Sequence, residues 1–198
     1  MTTTGSTRSL TREDWLDAAM SAMAHGGVRG IRVEPLAKAM RTSKGSFYWH
    51  FRDRADLVRA TLERWEQLET HRVIEVVEST SHPRQRLGRL LAIAHRQDPE
   101  RPDPSVALTG DHDDLVREVL ERVTHRRIGF VAEQLVALGI AEDEAAQRAT
   151  LAYTSYLGYA ALVRSAPAAL PADQSLPRYI ETVLTVLVST TNDHRGDG

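Results

Sequence analysis

Residues 34–54 read EPLAKAMRTSKGSFYWHFRDR, and this stretch decides the fold of the N-terminal part of the chain. Apolar side chains recur at helical spacing in two short segments, at about residues 34–40 and 43–50. Pro35 lies in the first turn of the first segment, where its missing N–H costs least, and Ser43 is placed to cap the second. A polar connector of about three residues separates the segments, so the stretch predicts a helix-turn-helix.

One helix before this stretch and one after it complete the pattern. Thr11 begins the first, and the acidic residues that follow it interact favourably with the free N–H groups of the first turn. The glycine pair at 26–27 ends that helix. Asp53 is a good N-cap for the next helix, which we expect to run from about residue 54 to beyond residue 77.

The rest of the chain also predicts helices, because no stretch shows the sustained period-two alternation of a half-buried strand. We expect them at about 84–96, 105–110, 113–138, 142–165 and 175–191. The predicted fold class is all-α, with about nine helices in total. The predicted divisions are an N-terminal arm at 1–10, a three-helix helix-turn-helix domain at 11–53, a helical domain at 54–191 and a frayed tail at 192–198.

The composition is that of a folded globular protein. Of 198 residues, 41% are hydrophobic and 26% are charged, which argues against long disorder. No apolar run reaches the about 18 residues that a membrane-spanning helix needs, and the first nine residues lack the apolar stretch of a secretory signal. The sequence has no cysteine, which excludes disulfides and thiolate metal sites and fits a reducing cytoplasm, the compartment we expect.

Charge is distributed unevenly along the chain, although the net charge is only −2. Up to residue 54 there are nine Lys and Arg residues against five Asp and Glu, a net charge of +4. The remaining residues carry sixteen basic against twenty-two acidic side chains, a net charge of −6. A basic segment on an acidic body is typical of a nucleic-acid contact, because only the contact surface must neutralise phosphates. Chance asymmetry is the alternative explanation.

The second helix of the helix-turn-helix has an outer face rich in groups that bind nucleic acids. Hydroxyls, a cation, an imidazole and large aromatics occur there together: Thr42, Ser43, Lys44, Ser46, Tyr48, Trp49 and His50. Such groups hydrogen-bond phosphates and base edges, and a short helix fits a major groove about 12 Å wide. Large aromatics on an outer face are unfavourable if they meet only water. A partner surface such as double-stranded DNA explains them.

This segment resembles the signature of the TetR family, the tetracycline-repressor-like regulators. The resemblance rests on residues 36–40 (LAKAM), residues 43–51 (SKGSFYWHF), Asp53, Arg54 and Leu57, and it covers about residues 11–65. It implies a homeodomain-like DNA-binding domain followed by a helical ligand-binding and dimerisation domain. By that resemblance the chain is a homodimeric transcriptional regulator, and family habit favours a repressor that a small-molecule effector releases from a palindromic operator.

The resemblance also implies roles for residues of this chain. Lys44 and the small residues near it are expected to approach bases, and Arg54 is expected to hold the DNA backbone. Tyr48 and His50 are expected to reach phosphates. The complete expected set of DNA contacts is Arg32, Thr42, Ser43, Lys44, Gly45, Ser46, Tyr48, Trp49, His50 and Arg54.

Two places depart from the family pattern. Arg41 and Thr42 stand where Gly-Val is common, and Arg32 stands where a capping Thr is usual. The loss of the cap costs about 1 kcal/mol, and Arg32 is available for a phosphate contact instead. These departures bear on the operator sequence and not on the fold.

Beyond residue 65 the resemblance extends only to the number and placement of helices. It implies an effector pocket inside the helical domain and a dimer interface built by the last two helices. The candidate pocket residues are Trp65, His71, His95, Phe130, Tyr153 and Tyr156, with a plain core role as the alternative for the aromatics. The candidate interface residues are Ala149, Ala152, Ile180, Val183, Leu184 and Leu187, with the core of a single chain as the alternative.

Two other classes of function compete with this one. For an enzyme, the run DHDD at residues 111–114 is the leading candidate, yet no second His or Glu lies at the i, i+4 spacing of a zincin, and helix capping explains the run better. The glycines at 26, 27 and 30 lack the Lys and Ser or Thr of a phosphate loop. We therefore expect no catalytic residues, metal or cofactor. A protein-binding adaptor that uses the same helices without DNA is the other alternative.

Overall fold

The computed structural model describes residues 10–96, 103–171 and 175–189. These residues form helices, turns and connecting segments, and none of them lies in a β-strand. The all-α prediction is confirmed. Residues 1–9 of the predicted arm and the predicted tail at 192–198 lie outside the described residues.

Ten α-helices follow one another along the described part of the chain. They are α1 (Arg12–Gly26), α2 (Val33–Ala39), α3 (Lys44–Tyr48), α4 (Arg54–Glu66), α5 (Arg72–Glu78), α6 (Pro83–Ala94), α7 (Ser105–Leu108), α8 (Asp114–Val136), α9 (Glu142–Ser165) and α10 (Leu176–Val188). Gly27–Gly30 and Pro167–Ala169 are short 3-10 turns. The long helix predicted from residue 54 is divided into α4 and α5 by a π-helical segment, Gln67–His71.

The described residues group into two compact units. The first contains residues 10–66 and 103–119, and the second contains 67–96, 120–171 and 175–189. The predicted domain boundary between residues 53 and 54 falls inside the first unit, where α4 packs against α1. As a functional division this boundary stays a prediction.

Side-chain caps fix where the helices of the first unit begin. Thr11 accepts from the N–H of Asp14 at 3.2 Å, and the carboxylate of Asp14 accepts from the N–H of Thr11 at 2.7 Å, which completes a capping box for α1. Asp53 accepts from the N–H of Asp56 at 2.8 Å and caps α4. Both predicted starts are therefore confirmed.

The turn between α2 and α3 contains an arginine in the left-handed conformation. Arg41 has a φ of +54°, and it is the one described residue other than glycine with positive φ. Its N–H donates to Lys38 at 3.1 Å, and the N–H of Thr42 donates to Ala37 at 2.9 Å. These are the two hydrogen bonds of a Schellman motif, whose left-handed position glycine usually occupies. The departure at Arg41 thus places a side chain where glycine is preferred.

The second unit buries the apolar stripes of α9 and α10 within one chain. Ala149 is fully buried, and Ala152 and Leu187 join the same core cluster with side chains of α6 and α8. As dimer-interface residues these three stay predictions, and within one chain their side chains pack in this core cluster. The other three candidates are half-buried against this cluster and stay predictions: Ile180, Val183 and Leu184.

Candidate nucleic-acid interface

Helix α3 lies on a buried aromatic cluster. Phe47 is fully buried and Phe51 nearly so, and their rings stack with centroids 5.6 Å apart. Trp15 of α1 meets the ring of Phe47 edge to face at 5.3 Å. A helix of five residues is too short to be stable alone, so these contacts determine its position and orientation.

The opposite side of α3 is open to solvent. Tyr48 is 58% exposed, and Trp49, which follows the last residue of the helix, is 87% exposed. Lys44 and Gly45 in the first turn are exposed as well. We call the surface formed by Lys44, Gly45, Tyr48 and Trp49 the α3 outer face. All four residues belong to the larger set of DNA contacts predicted from the sequence.

Residues in the first turn of α3 have local roles too. Ser43 accepts from the N–H of Ser46 at 3.3 Å and caps the helix, as predicted. Gly45 has room for a side chain, because a Cβ there would lie 3.5 Å from the hydroxyl oxygen of Ser43, an ordinary contact. The fold therefore does not require glycine at this position.

An acidic residue lies beside the first turn of α3. The Lys44 ammonium donates to the carboxylate of Glu34 on α2 at 3.0 Å, and the two side chains are 53% and 75% exposed. The hydrogen bond with Glu34, and then the charge of that carboxylate, raise the pKa of Lys44 above its usual value. Such an exposed pair adds little to stability, so its main effect is on the charge that Lys44 presents. Glu34 is not among the site residues predicted from the sequence, since nothing in the local pattern around it indicates a partner on the next helix.

Two side chains predicted to contact DNA are engaged within the chain. His50 donates through Nε2 to the carbonyl oxygen of Leu10 at 2.9 Å. Arg54 donates through Nε to the carbonyl of Ile31 at 2.7 Å and through Nη2 to that of Val28 at 2.6 Å. The guanidinium of Arg54 thus ties the start of α4 to the turn before α2. Direct contacts of both residues with DNA stay predictions.

Arg32 lies at the start of α2 beside a surface cleft of about 420 Å³. Its side chain makes no capping hydrogen bond with α2. The cap that a threonine usually provides at this position is therefore absent, as predicted. The charged residues that line the cleft are Arg32, Glu34, Lys44, Asp53 and Arg54. Three cations against two carboxylates leave this cleft with a net positive charge, as a phosphate contact requires.

One cluster within the second unit contains three of the six candidate effector residues. His95 and Tyr156 have ring centroids 6.0 Å apart, and the rings of Tyr153 and Tyr156 are 5.9 Å apart. Tyr159 and Tyr179 complete the cluster around His95, and neither is among the effector residues predicted from the sequence. Their positions on separate helices, α9 and α10, left no local pattern that would link them to His95.

The other three candidates lie elsewhere. Phe130 is buried in a separate cluster with Ile74 and Val77. His71 ends the π-helical segment and is half-buried. Trp65 is fully buried in the first unit. As effector contacts these three residues stay predictions.

The acidic run at 111–114 serves as a helix start. Asp113 accepts from the N–H of Leu115 at 3.0 Å, next to the beginning of α8, in agreement with the capping interpretation. Across the part of the chain that the structure describes, no three His, Asp or Glu side chains are placed to hold a metal ion. The helices in those ranges are all too short or too polar to cross a membrane.

Residues 16–61 match the family model described as "Bacterial regulatory proteins, tetR family". The match spans α2 and α3 and most of α1 and α4. The HTH-type transcriptional regulator AcrR of Shigella flexneri is 36% identical to this chain over 61 residues. That alignment spans 31% of this chain and only 27% of AcrR.

Solved structures of TetR-type regulators share the fold over most of the chain. CifR, a TetR family transcriptional regulator complexed with 26-base-pair operator DNA, aligns with a TM-score of 0.71 and 23% identity over 91% of this chain and 98% of CifR. FadR of Bacillus subtilis, in complex with stearoyl-CoA, aligns with a TM-score of 0.64 and 13% identity over 90% of this chain and 98% of FadR. At these identities the likeness establishes the fold, a TetR-type domain followed by a helical domain.

Proposed function

We propose that the chain is a transcriptional repressor of the TetR type, which holds a palindromic operator as a homodimer and releases it when a small molecule binds the second unit. The α3 outer face carries this proposal. It presents a cation and two large aromatic side chains to solvent above the buried Phe47. That combination needs a partner, and the TetR-type domain supports double-stranded DNA as the partner.

Exposure and chemistry assign the roles within the interface. Lys44 and Gly45 begin α3, and the first residues of a recognition helix are those that contact base edges, where an ammonium group donates to guanine O6 or N7. Tyr48 and Trp49 lie one turn later, where a phenol hydroxyl and an indole N–H donate to phosphate oxygens. Arg54 supports this surface from behind, through its bonds to the turn before α2.

A titration with the DNA upstream of the protein's own gene tests this role. Trp49 is exposed while Trp15 and Trp65 are fully buried, so a change in tryptophan fluorescence on DNA addition reports contact at the α3 outer face. A Trp49→Phe variant should lose most of that change.

The same titration separates the interface residues from the rest of the surface. We expect Lys44→Ala and Tyr48→Phe to bind about tenfold more weakly, and Lys44→Ala to lower the salt slope by about one unit. Arg72→Ala removes an exposed cation on α5 and is the matched control, with parental affinity expected. Parental affinity in both interface variants contradicts the proposal.

The outer surfaces of α9 and α10 support the dimer. Leu151 and Leu162 of α9 are 51% and 42% exposed, and Val186 of α10 is 52% exposed. Leu151 and Leu162 are separated by about three helical turns, so they lie on the same face of α9. Gly158 lies between them with no heavy atom within 4 Å of a Cβ placed there, and a small residue lets a second helix approach closely. A second copy on this face makes the operator a near-palindrome.

Leu162→Arg tests the dimer. The variant places an unpaired cation in the proposed interface, so light scattering should give the mass of a monomer where the parent gives that of a dimer. Val76→Arg on α5 changes a valine that is 40% exposed and should leave the dimer intact. A monomeric parent at micromolar concentration, or a dimeric Leu162→Arg, contradicts this arrangement.

The aromatic cluster around His95 supports the effector role of the second unit. To release the operator, a ligand must prefer the DNA-free state by about 1.4 kcal/mol for each tenfold loss of DNA affinity. By reciprocity, operator DNA weakens ligand binding by the same factor. A titration of the candidate ligand against the free protein and against the protein–operator complex tests this coupling. Equal affinities in the two titrations contradict induction.

A further inference from the structure

His95 is a buried polar side chain that the contacts within the chain satisfy only in part. It lies at the end of α6 and is fully buried. Its Nδ1 donates to the carbonyl oxygen of Leu91 at 2.9 Å, and since a carbonyl oxygen can only accept, the neutral ring carries its proton on Nδ1. Nε2 therefore holds a lone pair, and it has no hydrogen-bond partner among the described residues. A buried acceptor without a donor costs free energy until a donor reaches it.

Tyrosine rings surround this imidazole. The ring centroids of Tyr156, Tyr159 and Tyr179 lie 6.0, 5.5 and 5.4 Å from that of His95. Tyr159 and Tyr179 are half-buried, and their own rings stack with centroids 4.7 Å apart. The hydroxyls of Tyr179 and Ser155 are hydrogen-bonded to each other at 2.7 Å, which links α10 to α9 in this cluster.

The chemistry of the cluster limits what it can bind. Burial lowers the pKa of His95, and the hydrogen bond to Leu91 opposes this only partly, so the imidazole is held neutral. The same desolvation disfavours a bare charge on a ligand. Aromatic walls favour a flat ring that stacks or meets them edge to face, and the lone pair on Nε2 requires an O–H or N–H donor.

We propose that this cluster is the effector-recognition site and that its ligand is a small, neutral aromatic alcohol of the phenol class. The ligand hydroxyl donates to Nε2 of His95, and the ligand ring stacks on Tyr159 or Tyr179 in place of their present stack. This inference rests on the effector role proposed above and adds the chemical class of the ligand. The site is built by α6, α9 and α10, all within the second unit.

Calorimetry on the full-length protein with phenol and anisole tests the donor requirement. Anisole has the same ring, but a methyl ether replaces its hydroxyl, so it cannot donate to Nε2. We expect phenol to bind at least about tenfold more tightly, because anisole leaves the acceptor unsatisfied. Cyclohexanol keeps the hydroxyl without a flat ring and should also bind at least about tenfold more weakly than phenol.

Nuclear magnetic resonance and a variant locate the contact. With nitrogen-labelled histidine, phenol should shift the Nε2 resonance of His95 and anisole should not. His95→Phe keeps a ring and removes the lone pair, so this variant should bind phenol and anisole with equal affinity. The comparison of phenol with anisole on the parent protein needs no variant. It therefore tests the requirement for a donor on the ligand even if His95→Phe does not fold.

Several results would overturn the ligand class. These are equal affinity of the parent for phenol and anisole, no binding of phenol, and tighter binding of tetramethylammonium, which would indicate an aromatic cage for a cation. Operator release is measured separately by adding phenol to the protein–operator complex. If phenol binds with the donor preference and the operator stays bound, the ligand class holds and the inducer role fails. If another small molecule releases the operator and phenol does not bind, the ligand class alone fails.

Discussion

The ammonium group of Lys44 lies 3.0 Å from a carboxylate oxygen of Glu34, on the surface that the proposed function turns toward DNA. In the free protein this cation is therefore partly neutralised by a side chain of the neighbouring helix. A phosphate or a base must displace the carboxylate or share the cation with it. Glu34 thus determines how much of the charge of Lys44 is available to DNA.

Glu34→Gln should strengthen DNA binding. The variant removes a negative charge from the interface and frees Lys44, so we expect about three- to tenfold higher affinity and a salt slope steeper by about one unit. The pair is exposed, so Tm should change by less than about 2 °C. Glu75→Gln removes an exposed carboxylate on α5 and is the matched control. Weaker binding by Glu34→Gln would mean that the carboxylate itself contacts DNA favourably.

Gly45→Ala should separate DNA affinity from stability. The added Cβ makes only an ordinary contact, 3.5 Å from the Ser43 hydroxyl, so Tm should stay the same or rise. Operator affinity should fall by about tenfold or more, because the methyl group occupies space that a base or phosphate needs. Gly129→Ala in α8, where a Cβ has no heavy atom within 4 Å, serves as the control. Parental affinity for Gly45→Ala is the result that excludes close approach.

Arg41→Gly should stabilise the TetR-type domain. Arg41 has a φ of +54°, which a non-glycine residue adopts at a cost, and glycine removes that cost while giving the unfolded chain more freedom. We expect a net gain of about 0.5–1 kcal/mol in the free energy of unfolding, measured by urea denaturation. Arg41→Ala removes the same charge but keeps the Cβ, so it should show no gain. Equal gains in both variants would assign the effect to charge.

The free energy of unfolding should decrease at acidic pH because of His95. Burial lowers the pKa of His95 in the folded protein below the value of about 6.5 that the unfolded chain has. Below about pH 6.5 the unfolded chain takes up a proton that the folded chain resists, so the free energy of unfolding decreases until the folded pKa is reached. The contribution of His95 to the slope of the free energy of unfolding against pH is at most about 1.4 kcal/mol per pH unit. This contribution should be absent in His95→Gln. An identical slope in the parent and the variant contradicts the assignment.

Local signals predicted most helix boundaries. The sequence predicts a helix at 142–165 and the structure has one there, because acidic residues follow Ala141 and Pro167 prevents continuation. The π-helical segment Gln67–His71 could not be predicted in this way. Its sequence, QLETH, is ordinary for an α-helix. The guanidinium that donates to Thr70 at 2.9 Å belongs to Arg127, which lies 57 residues further along the chain.

The sequence predicts part of the candidate nucleic-acid interface and of the dimer surface, and local spacing again marks the limit. The residues of the α3 outer face follow from spacing, because the buried Phe47 and Phe51 turn the other side of the helix outward. Periodicity also located the apolar stripe of α9, but it does not show whether a stripe covers its own core or a second copy. Ala149 belongs to the core, while Leu151 is left exposed, and only the packing of the neighbouring helices separates the two.

Selection from a pool of randomised DNA duplexes, followed by sequencing, tests the central claim most directly, since the operator sequence emerges from the selection itself. The parent protein should enrich a near-palindromic sequence with half-sites about one helical turn apart. Lys44→Ala should lose its preference at one base position in each half-site and keep the rest, while Arg72→Ala should enrich the parental sequence. A parent that enriches no sequence, or a Lys44→Ala that enriches the parental sequence unchanged, would contradict the claim that α3 reads DNA.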